Sequence, residues 1–105
     1  MITLVDAELR ANIVRAMAHP VRLMVIDFIL GGERSFSEIF GLFHLDKSTI
    51  SKHLLVLKEA GIVSSRKAGR EMFYKLEVPC VANFFTCATV VVQNKVEKQL
   101  QALGR

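Results

Sequence analysis

Between Lys47 and His53 the chain places two lysines, two serines, a threonine and a histidine within the stretch "KSTISKH". Short hydroxyls and Lys reach base edges or phosphates, and imidazole adds a further donor or acceptor. A second basic group, Arg66, Lys67 and Arg70, surrounds Gly69. Residues 47–75 carry seven Lys or Arg against two Glu, a net of +5 where the whole chain has +4, so the remainder sums to −1. Positive charge confined to one segment suggests a surface that faces a polyanion. The plainer account is a solvated face with no partner. A third group is the pair of cysteines, Cys80 and Cys87, seven residues apart.

The elements that must hold these groups follow from periodicity. Leu9, Ile13, Ala16 and Met17 fall on one helical face, which predicts a first helix ending before His19-Pro20. Pro20 suits the first turn of a second helix, where its missing N–H costs nothing, and His19 is placed to cap it. That helix, "VRLMVIDFIL", is apolar on most sides and so belongs in the centre of the domain. Ser35 and Glu38 have capping-box spacing before a short third helix, "SEIFGLF". His44 belongs to the turn that follows.

Asp46 is a good N-cap for a fourth helix, in which Ile50, Leu54 and Leu57 point inward and Gly61 ends the run. Ser48 and Lys52 then project almost opposite the core, flanked by Thr49, Ser51 and His53, with Lys47 at the first turn. A recognition helix entering the major groove uses its N-terminal residues this way, and its positive end favours phosphate. The simpler alternative is a structural helix with a capped, solvated start. "IVSSR", "KAG" and "REMFYKL" read as two strands around a Gly-containing turn. Pro79 opens a last helix. The expected fold is mainly α (α+β): one winged helix-turn-helix domain over residues 1–105, with a two-stranded wing at about 62–77 and a final helix at about 79–103.

A hydrophobic share of 51% and a mean hydropathy of +0.35 are high for a small soluble monomer. Either the core is unusually large, or apolar surface is buried against another subunit. No apolar run approaches the roughly 18–20 residues of a membrane helix. The start "MITLVDAELR" lacks the layout of a signal peptide, and two cysteines make no secreted disulfide framework, so the expected compartment is a reducing cytoplasm. Paired carboxylates, a Gly-rich phosphate loop, a nucleophile–base pair and a catalytic metal cluster are all absent from the pattern, which argues against an enzyme.

Three stretches carry a family resemblance. "AMAHPVRL" at 16–23 echoes "ALAHPxRL", and "STISKHLLVLKEAGIV" at 48–63 echoes "STVSxHLxxLxxAGLV". Lys67, Gly69, Arg70, Tyr74 and Leu76 match the family's wing ending in outline. Over residues 5–77 the chain resembles the ArsR/SmtB winged-helix repressors. The resemblance implies a homodimer, joined through its first and last helices, that binds a palindromic operator and releases it when an inducer arrives. Lys47, Ser48, Thr49, Ser51, Lys52 and His53 would address DNA through the helix, and Arg66, Lys67 and Arg70 through the wing. A ligand-independent DNA-binding dimer and a winged-helix adaptor for protein partners stay open.

The inducer is where this chain departs from the family. The Cys-x-Cys of arsenic and cadmium sensors is replaced by Ser35 and Ser37 in "RSFSEI", and the last helix has neither His nor Asp, with Glu97 its only acid. Neither standard metal site carries over. Cys80, Phe84, Cys87 and Val91 share one stripe of the last helix, with Cys80 expected in its first turn, where unpaired N–H groups stabilise a thiolate. Seven residues of helix separate the Cα atoms by about 10.5 Å, beyond the roughly 7 Å limit for a disulfide. Pairing would therefore have to cross between subunits. As(III), reactive sulfur and oxidants are the candidate inducers at this pair, and plain packing of two small apolar side chains is the competing role.

Overall fold

The computed structural model describes residues 1–104. Arg105, the last residue of the expected domain, lies outside the described residues. Helix α1 spans Leu4–Met17, starting where the Thr3 hydroxyl accepts the Asp6 N–H. Its apolar face is only partly covered within the chain. Ala16 is buried and Met17 half-buried, but Leu9 and Ile13 are 59% and 44% exposed. Helix α2, Pro20–Leu30, is capped by His19, whose Nδ1 accepts the Val21 N–H at 3.1 Å. Val25, Ile26 and Ile29 put it at the centre of the core.

Arg34–Ser35 form a two-residue strand, β1, unanticipated from the sequence. Ser35 then caps α3 (Phe36–Phe40) in the expected capping box with Glu38. This helix is shorter than expected, because the chain turns at Gly41 and the Phe43 N–H closes onto the Phe40 carbonyl. Helix α4, Lys47–Glu59, follows its Asp46 cap. Ile50, Leu54 and Leu57 are at most 2% exposed, and burial of such side chains stabilises by about 1.5–3 kcal/mol each. Gly61 adopts φ +80°, the left-handed turn that takes the chain off the helix end.

Strands β2 (Val63–Ala68) and β3 (Glu71–Leu76) pair antiparallel from Val63↔Leu76 to Ala68↔Glu71. Their two-residue connection begins at Gly69 with φ +64°, the position a tight hairpin gives to glycine. β1 pairs with the other edge of β3, so the expected two-stranded wing is a three-stranded sheet at its root, ordered β1-β3-β2.

The last helix, α5, runs from Val81 to Leu103. Val81 is buried and Phe85 packs on the core, yet Val92, Val96, Leu100 and Leu103 are exposed. The radius of gyration is 16.7 Å, well above the ~13 Å of a compact chain of this size. Among the described residues no helix is long and apolar enough to cross a membrane.

Candidate nucleic-acid interface

With the apolar side of α4 locked into the core, its first two turns present Lys47, Ser48, Ser51 and Lys52 to solvent, and Thr49 is half-buried. Asp46 organises this end. It accepts the Thr49 N–H at 2.8 Å and the Ser48 hydroxyl at 3.1 Å. Hydrogen bonds from Thr49, and then from Ser48, hold its carboxyl below the ordinary value. The helix start is thus already satisfied by a carboxylate. Lys47 and Lys52, rather than bare helix amides, are left to meet an anion. Lys47 also lies 5.8 Å over the Phe40 ring.

His53 does not belong to this solvent face. It is half-buried, its Nδ1 accepts the Arg22 Nε–H at 3.1 Å, and its ring lies 4.4 Å from that of His19. The sequence held a signal for this. His53 stands three residues after Ile50 and four before Leu57, at the edge of the buried arc.

Lys67 and Arg70 are exposed at the wing tip and make no ion pair among the described residues. Arg66 sits closer to the root and is occupied. Its guanidinium grips both carboxylate oxygens of Glu33 and lies 4.8 Å over the Phe73 ring. The hydrogen bond from Arg66 holds the Glu33 carboxyl low, and Glu33 in turn raises Arg66. Glu71 accepts hydrogen bonds from the Ser37 N–H and hydroxyl at 3.0–3.3 Å, fastening β3 to the start of α3. A shallow groove lined by Ser51, Leu55, Lys58, Ser65, Met72 and Tyr74 joins α4 to the wing.

The profile of "Bacterial regulatory protein, arsR family" matches residues 19–65, from the cap of α2 into the wing. The chain is 32% identical over 94 residues to the transcriptional repressor SdpR of Bacillus subtilis, covering 90% of this chain and 92% of that protein. The chain belongs to the ArsR family. Its fold is similar to the crystal structure of Mycobacterium tuberculosis Rv0081, with a TM-score of 0.78 at 26% identity over 93% of this chain and 99% of that one. It is also similar to the solution structure of the homodimeric winged helix-turn-helix DNA-binding domain of Mb0332 from Mycobacterium bovis. There the TM-score is 0.73 at 28% identity, over 90% of this chain and 87% of that one.

Cys80 and Cys87 are both free and exposed. Cys80 is the residue before the helix rather than part of its first turn. The N–H groups of Val81, Ala82 and Asn83 are spent on the carbonyls of Val78, Pro79 and Cys80, at 3.1–3.2 Å. These three first-turn amides, expected to face the Cys80 sulfur unpaired, are therefore already engaged. Cys80, Phe84, Cys87 and Val91 do share a stripe, but it lies apart from the face that carries Val81, Phe85 and Val92. That second face lines an apolar cleft against Leu23 and Met24 of α2. Among the described residues no three of His, Cys, Asp and Glu gather to hold a metal ion.

Proposed function

We propose that two copies of this chain form a cytoplasmic repressor that holds a palindromic operator and releases it through chemistry at Cys80 and Cys87. One observation carries the DNA-binding part. Lys47, Ser48, Ser51 and Lys52 are exposed on the side of α4 opposite its buried face, beside a wing whose tip carries Lys67 and Arg70. This is the arrangement of a helix that enters the major groove with a hairpin along the backbone. SdpR, a named repressor, and the homodimeric DNA-binding domain of Mb0332 support the same reading. Binding to a palindromic duplex is tested by titration at increasing salt. Affinity should fall steeply, because phosphate contacts release counterions. Equal affinity at low and high salt would remove the reading.

The second copy is supported by the exposed apolar residues of α1 and α5, Leu9 and Ile13 on one and Val92, Val96 and Leu100 on the other. Release through thiols is supported by the exposure of both cysteines and by the serines that stand where the family's thiols would be. If two α5 helices pack antiparallel, Cys80 approaches the partner's Cys87. An oxidant removing two electrons would then join the sulfurs and free two protons, and As(III) would exchange oxygen ligands for thiolates. Either bond would pull on α5 and alter the spacing of two recognition helices that must meet grooves about 34 Å apart. The check is operator binding by wild type, Cys80→Ser and Cys87→Ser, each with and without As(III), persulfide and mild oxidant. If both variants release DNA as wild type does, the cysteines only pack.

A further inference from the structure

His53 is turned away from the solvent face of α4 into a cluster where three helices meet. Arg22, on α2, donates through Nε to His53 Nδ1 at 3.1 Å and through Nη1 to the carbonyl of Ala16 at 3.2 Å. Ala16 is buried in the last turn of α1, and His19, Arg22 and His53 are half-buried. The His19 ring lies 4.4 Å from that of His53, tilted by 42°, with its own Nδ1 already accepting the Val21 N–H. A single guanidinium thus ties the end of α1 to the middle of α4.

We propose that His53 is a proton-gated positioning residue: neutral, it holds the recognition helix to Arg22, and protonated, it lets that helix go and weakens operator binding. The proposal rests on the operator-binding reading and adds a control to it. An imidazole whose Nδ1 accepts carries its proton on Nε2. A second proton would turn Nδ1 into a donor facing the Arg22 N–H, with a guanidinium charge beside it. His19 and Arg22 are the titratable and charged groups that face His53 from α2 and its cap. From α1 the cluster receives only the Ala16 carbonyl, since the Arg15 guanidinium is engaged with Asn12. On α4 itself Lys52 points to solvent. No carboxylate bonds to the cluster among the described residues.

Burial, and then the charges of His19 and Arg22, push the His53 imidazole below its ordinary value of 6.5. The folded-state value is lowered, so the latched arrangement is fully stabilised above pH 6.5 and loses that stability as pH falls below it. The sign is diagnostic. A histidine that merely added charge to a DNA-facing surface would strengthen phosphate binding in acid, whereas the latch weakens it.

The experiment measures operator affinity at fixed ionic strength at about pH 7.5 and about pH 5.5. Wild type should lose roughly tenfold in acid, the scale of one hydrogen bond to a charged group. His53→Leu should be weak at both values. His53→Asn, whose Oδ1 replaces the Nδ1 acceptor without titrating, should recover binding and lose the acid sensitivity. An affinity that is flat or rises in acid, or the same profile in His53→Asn and wild type, would overturn the proposal. A second measurement needs no DNA. The His53 proton titration, followed by NMR in the free protein, should move up towards 6.5 in Arg22→Met and should shift the amides of α4 in wild type. An unchanged midpoint, or α4 amides indifferent to it, would also overturn the proposal. If wild type binds no duplex at any pH, the operator reading fails and this titration still judges the latch.

Discussion

Helices α4 and α5 are both amphipathic, and the chain treats them in opposite ways. In α4 the inward apolar side is used within one chain, with Ile50 and Leu57 at 0% exposure, and apart from Leu55, 53% exposed, what remains outside is polar. In α5 only Val81 is buried, while Val96, Leu100 and Leu103 stand 47%, 62% and 81% exposed. A finished apolar face leaves a helix free to offer hydroxyls and charge to a ligand. An unfinished one leaves an exposed apolar strip, the kind of surface that marks an interaction site. The first helix is complete without company, and the second asks for another copy of itself.

The strongest way to break this contrast is to charge α5. Leu100→Asp should convert a dimer into a monomer at micromolar concentration, since an unpaired carboxylate in a desolvated seam costs several kcal/mol. Phe84→Asp asks the same of the thiol-bearing stripe, and sedimentation of the two variants shows which face the second copy covers. A wild type that sediments as a folded monomer would end the contrast. Leu54→Ala on α4 should instead lower unfolding stability by about 2–5 kcal/mol, read by denaturant titration at fixed protein concentration.

Smaller effects sharpen the polar side. Lys67→Ala or Arg70→Ala removes two cations from each dimer on a palindrome and should reduce the slope of log affinity against log salt by about 1.8. Arg66→Ala should reduce it less, because Glu33 already neutralises that guanidinium. The smallest effect belongs to Asp46→Ala, which removes the cap of α4. The folded-state value of Asp46 is lowered, so its contribution is complete above the ordinary carboxyl value of 3.8 and fades as pH falls below it. Asp46→Ala should therefore be less stable than wild type at neutral pH and converge with it in acid, as thermal melts at both pH values would show.

What was legible in the sequence was local. His19, the Ser35–Glu38 box, Asp46 and Gly61 each act within a few residues, so spacing alone placed the starts of three helices and the end of the fourth. What was not legible depends on distant partners. Strand β1 is two residues long and has no periodicity; it exists because Phe73 and Tyr74 offer it an edge. His53 looks like one more polar residue until Arg22, 31 positions earlier, is brought beside it. Arg66 likewise reads as a free wing cation until Glu33 folds against it. The partly exposed apolar face of α1 shows a further limit: a 3.6-residue period reports that a face is apolar, not which chain will cover it.

The short strand β1 has a consequence for speed as well as shape. Ser35 pairs with Phe73 of the wing, and the same residue closes the box that starts α3. Glu71 repeats the fastening from the opposite direction. The wing root and the start of α3 are thereby fastened together before any DNA arrives. Only Gly69 and Arg70 lie outside the ladder, and backbone freedom surrendered there on contact costs about 1–2 kcal/mol for each residue that becomes fixed. A pre-organised reader of this kind meets each half-site by simple collision, and its association rate should be set by diffusion and charge rather than by rearrangement.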